Sequence, residues 1–278
     1  VRLGVMYERD LPPEGLPAFA RELDGTVDDL WVVEDLGWTG AISSAATALA
    51  ATSRLRVGIG ITPAPLRNPA LLAMELANLA RLHPGRLAAG VGHGVQDWMR
   101  QVGAAVSSPL ALLEETITSV RALLRGETVS LYGRHVRLDG IRLVHPPAEP
   151  PPVLAGVMSP RSLALSGRVA QGTIIPEGFG PARLPGLVER VAPPPGHEVV
   201  AFTHLYVDDD AAKVLRPIAE EQAAFMGVAP EEVAMATGSP AEAAAHVRDL
   251  AAAGAATVVV RPVGPEPLTH VRRLLAAL

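Results

Sequence analysis

Residues 57 to 95 constrain this chain most tightly, because they read as strand, turn, helix and strand, with both strands rich in glycine. Val57 to Thr62 holds only β-branched residues and glycine, and Pro63 and Pro65 stop it. Apolar residues then recur at helical spacing from Leu71 to Leu82, Pro84-Gly85 ends the helix, and a second strand runs from Leu87 to Gly92. This is a parallel βαβ unit whose bare strand ends leave room for a flat ligand.

The same alternation continues along the chain. Strands are predicted near Leu3 to Met6, Leu30 to Val33, Val57 to Thr62, Leu87 to Gly92, Val153 to Val157, Thr173 to Ile175, Val199 to Val207 and Thr257 to Arg261. Helical segments lie between and after them, near Pro17 to Leu23, Ile42 to Ala51, Pro69 to Leu82, Leu110 to Leu124, Arg161 to Ala170, Leu184 to Val191, Ala211 to Phe225, Pro240 to Ala253 and Pro267 to Leu278. Strand followed by helix, repeated to eight strands, predicts an α/β fold of the (β/α)8 TIM-barrel type, with residues 1–278 forming one domain. A length of 278 residues at 49% hydrophobic content suits such a barrel. One insertion breaks the rhythm before the fifth strand. Residues 128 to 143 alternate, with two-residue turns expected at Gly133-Arg134 and Asp139-Gly140, so they predict a small antiparallel excursion outside the barrel wall.

Charge and composition narrow the partners. A net charge of −5 and scattered basic residues give no field for nucleic acid. With no cysteine, disulfides and thiolate metal sites are excluded, and a cytoplasmic address is expected. No apolar run reaches the roughly 20 residues of a membrane span, so no membrane partner is expected. No metal site is expected either, because neither a His-Glu-x-x-His pattern nor clustered His/Asp spacing occurs.

In a (β/α)8 barrel, ligands sit at the carboxyl ends of the strands. Tyr7, Glu8, Glu34, Asp35, Thr62, His93, Ser159, Arg161, Glu177 and Arg261 are therefore the candidate site residues. Ala155 to Leu165 offers an anion site: Gly156-Val157 ends a strand, Ser159 is placed as an N-cap, and Pro160 opens the helix. A plain helix start is the alternative. Gly58 and Gly60 in one strand, and Gly90 and Gly92 in the next, suit either close approach of a ring or packing against a large inward side chain. Glu34 and Asp35 could accept hydrogen bonds or carry a proton, or form a solvated loop pair. His93 is the best single acid/base candidate, since its unperturbed pKa of about 6.5 serves both directions near neutrality. His204 falls inside a strand and could equally be a core residue satisfied by a backbone carbonyl.

Five segments together resemble the bacterial luciferase-like superfamily of flavin- and deazaflavin-dependent oxidoreductases. They are the opening "RLGV", "GIGITPAPLRNPALLAMELANLARLHPGRLAAGVGHG", "SLYGRHVRLDGIRL", "PPVLAGVMSPRSLALSGRVAQGTII" and "ATGSPAEAAAHVRDLAAAGAATVVVRPVG". The resemblance implies a barrel that binds coenzyme F420, or alternatively FMN, at its C-terminal face. It implies that the turn Gly156, Val157, Met158 and Ser159 contacts the cofactor phosphate, and that Gly92 and His93 lie beside the ring or its chain. It also implies a non-prolyl cis bond at Gly60-Ile61, next to Thr62, pressing the Ile61 backbone toward the ring. The chain departs from the family at Glu34-Asp35-Leu36-Gly37-Trp38, where many members carry histidine.

The resemblance thus implies an oxidoreductase passing hydride between reduced coenzyme F420 and a small organic substrate, with His93, Glu34 and Asp35 as proton-handling residues. The alternatives are an FMN-dependent monooxygenase using molecular oxygen with a separate flavin reductase, and a non-catalytic barrel that has lost its cofactor. A basic complement that is almost all arginine is associated with genomes in which deazaflavin use is commoner. A homodimer is implied through the helices after the second and third strands, where Ala45, Ala46, Ala48, Ala50, Ala51, Ala70, Ala73 and Ala77 permit close packing. Packing of those alanines onto their own barrel is the alternative.

Overall fold

The computed structural model describes residues 1–208 and 210–278. The first half runs β1 (Arg2–Met6), α1 (Leu16–Leu23), β2 (Asp29–Val32), α2 (Ala41–Ala51), β3 (Arg56–Pro63), α3 (Pro69–Leu82), β4 (Leu87–Gly92), α4 (Gln96–Gln101) and α5 (Pro109–Leu124). A hairpin follows, β5 (Val129–Tyr132) and β6 (Arg137–Ile141), and then β7 (Val153–Gly156), α6 (Pro160–Val169), β8 (Gly172–Ile175) and α7 (Leu184–Val191). The last part is β9 (Glu198–Tyr206), α8 (Ala211–Met226), β10 (Ala236–Thr237), α9 (Pro240–Ala252), β11 (Thr257–Pro262) and α10 (Pro267–Leu275).

Eight of these strands close into a parallel barrel in the order β1-β2-β3-β4-β7-β8-β9-β11, with β11 returning to β1. Two-residue β10 adds to β9 outside the closure. The expected (β/α)8 barrel is what forms, with the antiparallel pair β5-β6 before the fifth barrel strand. Two details of that pair differ from expectation. A longer connection joins the strands, with the Gly133 amide donating to the Val136 carbonyl. Asp139-Gly140 is no turn but lies within β6, where Gly140 takes a φ of +61° and the pairing register shifts. An αL glycine lets the strand absorb an extra residue without breaking.

The alternation within each strand divides two cores. On β3, Val57 and Ile59 face outward into the layer between strands and helices, while Gly58 and Gly60 face the barrel axis. Trp31 of β2 fills the space those glycines leave. A Cβ on Gly58 would lie 2.3 Å from the indole, and one on Gly4 or Gly60 3.0 or 3.1 Å from it. Phe202 meets Trp31 edge-on at 5.4 Å, and Met6, Ala88, Leu154, Ile174, Val200 and Val259 complete this inner core. For Gly58, packing against a large inward side chain is therefore the correct alternative.

Ions plug the amino-terminal end of the barrel. Arg56, at the start of β3, donates to Asp29 of β2 (Nε to Oδ1, 2.9 Å) and to both oxygens of Glu198 of β9 (2.6 and 2.9 Å). Thr257 of β11 adds a bond to Glu198 at 2.7 Å. Against the opposing effect of burial, Arg56 holds the Glu198 carboxyl below its ordinary range.

Candidate functional site

The opposite, carboxyl-terminal end opens into a cavity of about 290 Å³. Its wall takes residues from the ends of β1 to β4 and β7 to β9, together with Trp98 of α4 and Phe225 of α8. Most of it is apolar. The titratable side chains in the wall are Glu34, Asp35, His93 and Glu177, and no lysine or arginine lines it among the described residues.

One side of the cavity is built around β3. The Gly60-Ile61 peptide is cis. Pairing with β4 shifts there, so that Ile59 faces Ala89 but Thr62 faces Val91, giving β3 one extra residue. Gly60 and Ile61 therefore line the cavity. Beneath Ile61, a Cβ on Gly156 would come within 2.3 Å of its side chain, and one on Gly92 within 2.9 Å. These glycines make room for Ile61, which in turn forms the cavity wall. Gly92 and Thr62 are buried and are not among the residues lining the cavity.

Gly156, Val157 and Met158 line the cavity and lead into α6. Ser159 occupies the N-cap position with an extended backbone, but its hydroxyl caps nothing, contrary to expectation. It donates instead to Ser162 Oγ at 2.9 Å, and Ser162 Oγ meets His93 Nε2 at 2.8 Å. The first-turn amides of α6 are thus left without a side-chain cap, the arrangement that receives an anion. Ser162 was not identifiable from sequence, because a buried serine one turn into a helix carries no pattern. Burial pushes the His93 imidazolium below its ordinary pKa, with the Pro109 carbonyl opposing, so the ring is neutral at pH 7. His93 lines the cavity with its Nε2 engaged by Ser162.

The two carboxylates after β2 reach the cavity but are committed elsewhere. Arg67 grips both oxygens of Glu34, and the Ala41 amide donates to Glu34 Oε2 at 2.9 Å, so this side chain caps α2. Asp35 accepts from Arg9 at 2.7 Å, and the Arg9 guanidinium lies 4.5 Å from the centre of the Trp38 ring. Neither carboxylate stands as an uncommitted proton carrier. Both lie in the cavity wall, where they were expected.

Three of the remaining candidates converge. Arg261, near the end of β11, donates to Glu8 beyond β1 at 2.6 and 2.8 Å and to Glu177 beyond β8 at 3.3 Å. His204, in register with Arg261 on β9, is 2% exposed and its Nδ1 has no hydrogen-bond partner, so the expected carbonyl partner is absent at that atom. Burial pushes its pKa down to about 4, with Glu177 and Glu8 opposing and Arg261 assisting. Tyr7 and Arg161 stay outside the site. Tyr7 packs on Phe19 in the outer core and bonds the Pro12 carbonyl, and Arg161 is exposed. Trp98, Phe202 and Phe225 line the cavity without having been singled out in the sequence.

Comparison with known proteins places this geometry in context. A family model described as luciferase-like monooxygenase matches residues 12–264. The chain is 26% identical over 194 residues to a 5,10-methylenetetrahydromethanopterin reductase of Methanolobus tindarius, covering 67% of this chain and 59% of that protein. It is 31% identical over 153 residues to an F420-dependent glucose-6-phosphate dehydrogenase of Nakamurella multipartita, covering 53% and 43% respectively. The chain therefore spans less than two thirds of the length of these relatives. Among solved structures, the coenzyme F420-dependent tetrahydromethanopterin reductase of Methanopyrus kandleri superposes with a TM-score of 0.86 at 17% identity, covering 100% of this chain and 98% of that one.

Proposed function

The chain belongs to the luciferase-like monooxygenase family, and we propose that it is an oxidoreductase transferring hydride between reduced coenzyme F420 and a small organic substrate. The observation that carries this reading is the continuity of one wall: the cis Gly60-Ile61 peptide, His93, and the Gly156 to Met158 turn running into the uncapped start of α6. A flat ring fits against Ile61, and an anionic tail fits the α6 amides. In this reading Gly60, Ile61 and His93 hold the ring, and Val157, Met158 and Ser159 hold the phosphate. When bound, the deazaflavin supplies hydride chemistry, and the protein supplies orientation and a dry wall.

Two relatives carry F420 or a tetrahydropterin substrate in their names, which supports the cofactor and a small-molecule substrate. The phosphorylated sugar named for one of them finds no lysine or arginine in this cavity wall among the described residues. The proposed assembly is a homodimer through the exposed side of α3. Leu71, Met74 and Leu82 are exposed there, and Met74 and the exposed Val144 line one groove. Ala45, Ala48, Ala73 and Ala77, in contrast, pack onto their own barrel. No helix among the described residues is long and apolar enough to cross a membrane.

Fluorescence titration with F420 and with FMN tests the reading. F420 is expected to bind at micromolar concentration or tighter, and FMN more weakly. Preferential FMN binding would transfer the reading to the oxygen-using alternative with its separate reductase, and binding of neither at micromolar level would leave a non-catalytic barrel.

A further inference from the structure

The charged wall opposite the proposed ring site has a chemical preference of its own. Glu34 is held by Arg67 and the Ala41 amide, and Asp35 by Arg9, whereas Glu177, among the described residues, has the 3.3 Å contact from Arg261 beside its own backbone amide. Arg261 gives its two shorter bonds to Glu8. Glu177 is thus the least committed carboxylate lining the cavity. Burial opposes its charge, while Arg261 and His204 favour it, and the balance holds the carboxyl below its ordinary range. Around it the wall is apolar, with Met6, Val33, Ile174, Phe202 and Phe225, and the arginines stand behind the carboxylates instead of facing the space. An ionised carboxylate in such surroundings attracts a cation strongly and repels an anion.

We propose that this cavity takes an organic cation, with Glu177 as the group that binds its positive end. The inference goes beyond the hydride-transfer reading and stands apart from it. Binding of the cation itself depends only on Glu177 and the apolar wall. Glu8 and Arg261 act as positioning residues, fixing Glu177 from behind.

The test compares three ligands of similar size by calorimetry on the purified protein without cofactor: N-methyl-3,4-dihydroisoquinolinium, 1-tetralone and 1-naphthoate. The cation is expected to bind about tenfold more tightly than the neutral ketone, the anion more weakly than either, and the cation's advantage to shrink to within about threefold in Glu177→Gln. Glu177→Asp keeps the charge and is expected to retain part of the preference. Equal or tighter binding of the ketone or the anion by the wild-type protein overturns the proposal, as does a preference that survives intact in Glu177→Gln. If that variant does not fold, the wild-type ranking decides alone. Deazaflavin titration is read separately: a protein that prefers the cation but binds no deazaflavin keeps the cation site and loses hydride transfer, and one that binds deazaflavin but prefers the ketone does the reverse.

Discussion

Each end of the barrel buries one arginine between two carboxylates, and the two ends put that arrangement to different use. At the base, Arg56 makes short bonds to both Asp29 and Glu198, and Thr257 adds another to Glu198. At the mouth, Arg261 makes short bonds to Glu8 and leaves Glu177 with a long one, facing the cavity. Saturation makes the base a fastener. Incomplete pairing makes the mouth a receptor. An arginine between two carboxylates therefore does not announce a site, and what distinguishes the ends is how many hydrogen-bonding positions are left open.

Breaking the base should have the largest effect. Arg56→Met strands Asp29, which has no solvent exposure, beside Glu198, and a loss of about 3–5 kcal/mol of unfolding free energy is expected from urea titration. Arg261→Met should lose less, because Glu8 and Glu177 keep some exposure where Asp29 has none, and it should loosen the hold on Glu177 and weaken cation binding. Equal losses at the two ends would erase the distinction drawn above.

Between the ends lies the Trp31 filling, and Gly58→Ala tests how rigid it is. The added methyl would sit 2.3 Å from the indole, so a loss of about 1–3 kcal/mol is expected by the same measurement. A neutral outcome would mean that the indole shifts freely and that the two ends are not separated by a fixed layer.

The smallest effect sharpens the comparison by pH. His204 titrates at about 4 in the folded chain and near 6.5 when unfolded, so between those values the unfolded state binds more protons and stability falls as pH is lowered. Glu198 is also held low, so its contribution is present above the unfolded carboxylate value and is lost as pH falls through its folded value. His204→Asn should therefore flatten the slope of unfolding free energy between pH 6.5 and 4, while Glu198→Gln should flatten only the more acidic part. An unchanged slope in His204→Asn would remove the histidine from the mouth's electrostatics.

The barrel was legible because its signal is local and repeated. Runs such as Val57 to Thr62 and Leu87 to Gly92 mark their strands within a residue or two. Helix α4 was missed because Gln96 to Gln101 is short and buries only Met99, leaving no amphipathic stripe to read. The glycines of β3 and β4 were noticed, but a glycine marks only close approach. That Gly58 meets Trp31 while Gly92 and Gly156 meet Ile61 depends on which side chains the closed cylinder brings inward. Glu8, Glu177 and Arg261 were each candidates through their place after a strand. Their union needs β11 to return to β1, a contact between residues far apart in the chain that no local pattern encodes.

The indole of Trp31, fully enclosed at the middle of the barrel, acts as a bulkhead. Changes to charge or shape at the rim stop there and leave the ionic foundation beneath undisturbed. A mouth seated on such a partition can be recarved for new substrates one residue at a time while the cylinder below keeps the same fastening.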